Sequence, residues 1–233
     1  MIFENIDDSI GIGHAIRGMR NSWSSWDKSD SHWDDEHDYI YRIGEEDLKI
    51  CRKLIKAGPS HRKFLRMIFL YADIIAPLHW WKQFDTYKVG TVANSTSTMH
   101  TILKKPLDMS DFGFYDDIVT TTNIEEEDKH YFENVINDLN RIRTKAILNP
   151  DRKKHYESIM FKMLPSSYMQ KRTVCISYEV LYNIWSTRRG HKLPEWREFI
   201  DILCLGTSFR KFIEDEINVK EKEQPQISDV QTK

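Results

Sequence analysis

The chain has 233 residues, 40% of them hydrophobic, enough to bury a sizeable core and to exclude general disorder. Its 34 basic and 36 acidic side chains leave a net charge of −2, so no chain-wide attraction to a nucleic-acid polymer or an anionic membrane exists. Any anionic ligand must therefore be caught by a local cluster of groups. The longest apolar run, around 67–78, is interrupted by Asp73 and is too short to cross a bilayer. Met1-Ile2-Phe3-Glu4 lacks the basic start of a signal peptide, and a soluble cytoplasmic protein is expected. Cys51, Cys175 and Cys204 are odd in number and widely spaced, which argues against disulfides and a zinc site and for three small core residues.

Residues 1 to about 44 are polar, rich in tryptophan and poor in periodicity, with Asp27-Lys28-Ser29-Asp30-Ser31 and Asp34-Asp35-Glu36-His37-Asp38 reading as loop. From Glu45 to Ala57, Leu48, Cys51, Leu54 and Ile55 recur at helical spacing, with acids in the first turn and Gly58 just past the end, which predicts a helix. Phe64 to Ile75 is dense in aromatic and branched residues and reads as a mostly buried strand. Pro77 then opens a helix from Leu78 to about Tyr87, with Leu78, Trp81 and Phe84 on one face. A turn-rich insert spans Lys104 to Thr122. Beyond it, Ile124 to Ile147 predicts a helix capped by Thr121 or Thr122, with Phe132, Val135, Ile136, Leu139 and Ile142 as its stripe. Asn149-Pro150-Asp151 starts another helix, which stops at Leu164-Pro165. Residues 172–176 read as a short strand, and Tyr178–Arg189 and Leu193–Phe212 as helices. The expected organisation is one α+β domain over 1–218 and a disordered charged tail over 219–233.

Several clusters carry chemistry. The segment Thr91-Val92-Ala93-Asn94-Ser95-Thr96-Ser97-Thr98 places six small hydroxyl or amide side chains in eight positions beside Lys88. A cation, hydroxyl donors and an expected helix start suit a phosphate, although an ordinary helix cap needs only one of those hydroxyls. Arg188-Arg189-Gly190-His191-Lys192 sets four positively chargeable side chains at a helix end, where the dipole alone favours cations; arginine also suits planar carboxylate, phosphate or pyrimidine edges. The cluster from His32 to Asp38 is either a divalent-cation site or a solvated loop. Trp23, Trp26 and Trp33 either stack on a planar ligand or cap the core. His14, His79, His130 and His155 read as surface or satisfied histidines. No P-loop, dinucleotide fingerprint or G-x-S-x-G nucleophile is present.

Five segments, in order over about 15–205, resemble the flavin-dependent thymidylate synthases. Ala15-Ile16-Arg17-Gly18-Met19-Arg20-Asn21-Ser22-Trp23 is similar to the family's early A-x-R-x-S-[YF] strand. Asp47–Ile55 followed by Gly58-Pro59-Ser60-His61 resembles its D-x-x-L-I-x-x-L helix and H-x-S-x-x-E-H turn, with His61 near a flavin-contacting histidine. Thr86-Tyr87-Lys88 stands over the R-H-R of R-H-R-x-x-S-x-N-x-x-S-x-R. Thr91 falls on the first serine, one extra residue precedes Asn94, Ser97 falls on the second serine, and Met99 replaces the last arginine. Met163-Leu164-Pro165 resembles the end of A-R-x-x-L-P, with Phe161 at the arginine position. Ser177-Tyr178 through Arg189, with Glu195-Trp196-Arg197, resembles N-x-x-x-L-x-x-F-x-x-x-R…Q-W-E-I-R, which puts Arg189 on the arginine that engages the pyrimidine.

The resemblance implies an α+β fold with a mixed sheet flanked by helices and a homotetramer with FAD at subunit interfaces. It further implies reductive methylation of dUMP or a related pyrimidine nucleotide, with methylenetetrahydrofolate and NADPH as co-substrates and no metal. Arg189 would be the catalytic, pyrimidine-activating residue. Lys88, Ser95, Thr96, Ser97 and Arg188 would meet the nucleotide, and His61, Thr91, Asn94 and His191 the flavin. Met99 and Phe161, standing where the family has arginines, support an alternative: a non-catalytic nucleotide-binding or interaction protein on the same fold.

Overall fold

The computed structural model describes residues 1–34, 40–113 and 126–223. The described part of the poorly periodic N-terminal segment holds regular elements: β1 (Ile2–Ile10), α1 (Ile12–Met19), two single 3-10 turns (Arg20–Trp23 and Trp26–Lys28) and a hairpin of β2 (His32–Asp34) and β3 (Ile40–Arg42). Of the stretches read as loop, 29–31 carries no helix or strand, while 35–38 lie outside the described residues. β1 escapes a periodicity search for a physical reason. It is an outer strand of the sheet, and Asn5 and Ser9 adopt φ of 49° and 64°, which breaks the two-residue alternation of side chains. In α1 the buried residues Ile12, Ala15, Ile16 and Met19 keep helical spacing, but over only two turns.

α2 (Glu45–Lys56) forms as expected, with Glu45, Glu46 and Asp47 in its first turn and Lys53 and Lys56 in its last. Asp30, from the preceding loop, accepts the free N–H groups of Glu46 and Asp47 at 2.9 and 3.1 Å, doing the work of an N-cap side chain. Gly58, at φ 102°, turns the chain out of the helix. The next strand starts later than the composition suggests. Lys63–Met67 is a 3-10 turn, and β4 runs Phe69–Pro77 with Leu70, Ala72, Ile74 and Ala76 buried in alternation.

α3 (Leu78–Phe84) follows, then β5 (Thr91–Ser95), the single turn α4 (Thr98–Thr101), α5 (Glu126–Leu148) and α6 (Lys153–Met163). The threonine cap proposed for α5 lies outside the described residues. Of its expected stripe, Ile136 and Leu139 are buried and Phe132 and Ile142 pack half-buried against the same core, Ala146 is buried as well, and Val135 is exposed. β6 (Met169–Ser177) is longer than the strand expected, and α7 (Tyr178–Arg188) matches its prediction. The single helix expected over 193–212 is instead α8 (Pro194–Phe199), a π turn (Ile200–Leu205) and α9 (Arg210–Glu223). The break is held by the Asp8 carboxylate, which accepts the Ser208 N–H at 2.6 Å. Tail residues 224–233 lie outside the described part.

The sheet order is β1-β4-β6-β5, flanked by helices, in keeping with the α+β expectation. The chain divides into two compact units. One comprises Met1–Ile6 with Ala72–Val174, the other Asp7–Tyr71 with the chain from Cys175 onward. The first has a core of Ile102, Leu107, Phe112, Ile136, Leu139 and Met160, and a cluster in which Trp80 stacks on Phe84 at 5.1 Å while Trp81 meets both edge-on. On its sheet, the Asp73 carboxylate accepts from Thr173, Lys171 and Asn5, and these bonds, the Thr173 one foremost, hold its pKa down at about 2. The second unit packs Tyr178 edge-on against Phe209 and Phe212, with Phe64 6.3 Å from Phe212, and Leu65, Cys51 and Ile55 are also buried in it. Cys204 is also buried there, and burial pushes the thiols of Cys51 and Cys204 upward; Cys175 is half-buried, so the expectation of three core cysteines holds fully for two.

Two ion pairs are sealed inside the second unit. Arg20 donates through Nε to Asp47 Oδ1 at 2.6 Å. Arg62 donates through Nε and Nη2 to Glu179 at 3.0–3.2 Å and through Nη2 to Asn183 at 3.2 Å, and its guanidinium lies 4.3 Å over the Tyr182 ring. Truncating one partner of such a pair strands the other charge. Arg62→Ala is expected to lower unfolding stability by about 3–5 kcal/mol in a urea titration, and a loss below ~1 kcal/mol would contradict this account. Asp73 gives a pH-dependent counterpart. Because its folded pKa lies below the ordinary 3.8, its contribution is present above that value and disappears as pH falls toward 2. Melting of Asp73→Asn should therefore lie below the parent's at pH 7 and converge with it near pH 2.

Candidate functional site

The helix that presents the arginine cluster is built to be immobile. Ser177 accepts the Val180 N–H at the start of α7, and Tyr178, Leu181, Ile184 and Trp185 are buried along it. At its far end the Arg189 guanidinium lies 4.5 Å over Trp185 and that of Arg188 lies 5.0 Å over Trp196. Next to them, His191 Nδ1 accepts the Leu193 N–H at 3.2 Å and its ring stands 6.4 Å from Trp196. Arg188, Arg189 and His191 are thus brought together on two buried indoles. Among the described residues Arg189 pairs with no carboxylate, so its planar N–H edge is oriented by the ring beneath it and available to a ligand.

Arg62 was not legible as a functional residue. It follows His61 directly and ties that turn to α7 through Glu179 and Asn183, partners more than a hundred positions away in sequence. Tyr182, under Arg62, donates its hydroxyl to Glu216 at 3.1 Å. Burial, with Glu216 beside it, pushes the phenol pKa up, against the opposing charges of Arg62 and Arg189.

His61 itself is exposed at the mouth of a cavity of about 390 Å³ in the same unit. Asn21, Ser22, Trp23, Ser60 and Lys63 share the lining, so the early segment Ala15–Trp23 and the His61 turn, matched separately in the sequence, meet around one space. Trp23 is 65% exposed there, which settles its alternatives against a core cap.

In the other unit, the hydroxyl-rich run is the strand β5 over Thr91–Ser95, and the helix start expected after it is α4, a single turn of four residues with Ser97 at its N-cap position but no side-chain cap. Lys88, Asn94, Ser95, Thr96 and Ser97 are exposed. Thr96 is committed to the sheet, since its N–H and hydroxyl both donate to the Lys171 carbonyl at 2.9 and 3.1 Å. The Thr91 hydroxyl is buried with no hydrogen-bond partner among the described residues. Met99 and Phe161 are 70% and 50% exposed. Lys88, Thr91, Asn94, Ser95, Thr96 and Ser97 lie in one unit, and His61, Arg188, Arg189 and His191 in the other.

Of the remaining candidates, His32 and Asp34 lie on β2, while positions 35–38 of the acidic cluster lie outside the described residues. No group of His, Cys, Asp and Glu among the described residues is placed to hold a metal ion. His14, His130 and His155 are exposed, and His79 lies 3.3 Å from the Ser166 carbonyl. No helix among the described residues is long and apolar enough to cross a membrane.

No protein-family model and no curated protein matches this sequence. Solved structures do match the fold. A flavin-dependent thymidylate synthase ThyX from Helicobacter pylori complexed with FAD and dUMP aligns over 91% of this chain and 96% of its own, with a TM-score of 0.61 and 14% identity. A second structure of Helicobacter pylori ThyX with FAD and dUMP aligns over 87% and 91%, with a TM-score of 0.57 and 14% identity. The chain has a ThyX-like fold.

Proposed function

We propose that this protein is a flavin-dependent thymidylate synthase-like enzyme that binds FAD and methylates dUMP or a related pyrimidine nucleotide reductively. The observation that carries it is Arg189, held flat on Trp185 without a carboxylate partner among the described residues, at the end of a buried helix in a chain whose fold is ThyX-like. A planar donor fixed in advance is what polarising a pyrimidine carbonyl requires, because it reorganises little as charge develops. Fold alone would not license the assignment.

The residues present fit a flavin nucleotide. The cavity at His61 offers a Lys63 cation, the hydroxyls of Ser22 and Ser60, the Asn21 amide and the exposed Trp23 ring, which are partners for a phosphate and for a flat ring system. His61, Thr91, Asn94 and His191 are assigned to holding FAD, which supplies hydride-transfer chemistry that no side chain provides. Lys88, Ser95, Thr96, Ser97 and Arg188 are assigned to the nucleotide. Methylenetetrahydrofolate and NADPH complete the reaction, and a cytoplasmic homotetramer is the assembly this assignment carries. Thr96 contributes through its backbone, its hydroxyl being taken by Lys171.

The non-catalytic alternative keeps one specific support: exposed Met99 and Phe161 at the positions of two family arginines. Absorbance separates flavoprotein from non-flavoprotein, and methylation of dUMP separates catalyst from binder. A purified protein without flavin absorbance and without FAD uptake would overturn the flavin assignment; nucleotide binding without turnover would establish the alternative.

Two substitutions test the roles. Arg189→Ala should abolish turnover while costing the fold only about 0.5–1 kcal/mol, the worth of its contact with Trp185; retained turnover would remove Arg189 from the mechanism. Lys88→Ala should weaken binding of the phosphorylated nucleotide by about tenfold or more, through loss of one charge-assisted bond of about 1.5–3 kcal/mol, as read by calorimetry. Equal affinity in the two proteins would exclude Lys88 from the site.

A further inference from the structure

Two of the exposed tryptophans belong to neither the core nor the His61 cavity. Trp26 and Trp33, 43% and 53% exposed, line a separate cavity of about 280 Å³ in the second unit, together with Arg17, His32 and Tyr41. The two cavities share no lining residue. Trp33 and Tyr41 are cross-strand partners of the β2–β3 hairpin and meet edge-on at 5.0 Å. Gly13 lies beneath them, where a Cβ would stand 3.0 Å from the Trp33 ring and 3.2 Å from Tyr41, so only a glycine admits the pair without displacement. Arg17 is exposed, lies 5.8 Å from the Trp26 centroid, and pairs with no carboxylate among the described residues.

The floor of this cavity is fixed from below. Ser29 and Ser31 each donate a hydroxyl to Asp47 Oδ2 at 2.6 Å, while Asp47 Oδ1 accepts from Arg20. Asp47 is 0% exposed and Arg20 3%. Apolar side chains of similar volume would often stabilise such a location as well or better, so the pair's distinctive product is geometric: it pins the loop leading into His32 and Trp33. A rigid polar floor, two indole faces at the rim and a guanidinium free of carboxylates are together the recognition elements for a flat anion.

We propose that this pocket binds a planar aromatic ring bearing an anionic group, with the ring against Trp26 and Trp33 and the anion on Arg17. Its volume falls just below the range of about 300–1,000 Å³ common for drug-sized ligands, so a ligand of one or two rings fits and a whole dinucleotide does not. The anion is a carboxylate or a phosphate; Arg17 offers the same planar donor edge to either.

The test is tryptophan-fluorescence titration of the full chain with p-aminobenzoyl-glutamate and with adenosine 5′-monophosphate, against p-aminobenzamide and adenosine as uncharged counterparts. Saturable quenching is expected at millimolar or lower concentration for at least one charged probe and not for its counterpart, and the tighter probe identifies carboxylate or phosphate. Arg17→Gln should weaken that binding about tenfold or more, and Trp33→Leu should abolish it. Both side chains are exposed, so both variants retain the fold. Arg189→Ala and Lys53→Gln should leave it unchanged, which separates this pocket from the proposed catalytic site and from general charge effects. Absence of saturation with both probes, or equal affinity in the parent, Arg17→Gln and Trp33→Leu, would overturn the proposal.

Discussion

The buried guanidinium of Arg62 is the interaction on which the second unit depends. Its N–H groups reach both Glu179 oxygens and Asn183, while its face covers Tyr182, so edge and plane of the cation are both engaged. A charge taken from water at several kcal/mol is tolerated only when every donor finds geometry this good. The consequence is positional. Arg62 adjoins His61 in the chain and grips α7 at its first turns, and α7 ends in Arg188. The 3-10 turn that Arg62 leads into and the helix that carries the arginine pair are therefore tied together.

The same motif, a guanidinium laid on an aromatic ring, recurs with a difference that sorts structure from recognition. Arg172 covers Trp81 at 4.3 Å and spends its edge on Asp85 and Gln170, at 2.8 and 3.0 Å. The Trp81 indole N–H meanwhile donates to the Gln170 carbonyl at 2.9 Å, so this group joins α3 to β6. Arg62 spends its edge likewise. Arg17 and Arg189 lie on Trp26 and Trp185 but meet no carboxylate among the described residues. Stacking costs an arginine only its face. Where the edge is also consumed the residue is a brace; where the edge is left over it is preorganised for an anion or a polar ring edge.

What was legible in the sequence was whatever is encoded locally. α2 carries its acids, its apolar spacing and its terminating Gly58 within fourteen positions, and α3 is announced by Pro77. The arginine pair was legible for the same reason, as a charge cluster at the end of an apolar-periodic helix. β1 was hidden because an outer strand with two residues at positive φ and five polar or charged side chains among nine lacks the alternation of a half-buried strand. Arg62 was hidden because its meaning is its partner, and Glu179 lies far along the chain. The break between α8 and α9 depends on Asp8, about two hundred positions upstream, and no local pattern encodes it.

The run 91–97 is the most informative, because hydroxyl-rich runs suit both helix caps and strands that hydrogen-bond to a neighbour, and here a strand precedes the expected helix start at Thr98. As a cap region, the run would aim several hydroxyls and free N–H groups at one anion. As a strand, it alternates: Thr91, Ala93 and Ser95 share one side, Val92 and Asn94 the other. The six small polar side chains cannot then converge on a single phosphate, and Thr96 is already bound to Lys171. Any anion held by this unit must rely on the few groups of one side, Asn94 among them, with Lys88 as a point charge in place of a planar fork. In the second unit, by contrast, Arg189, like Arg17, keeps a planar edge that meets no carboxylate among the described residues.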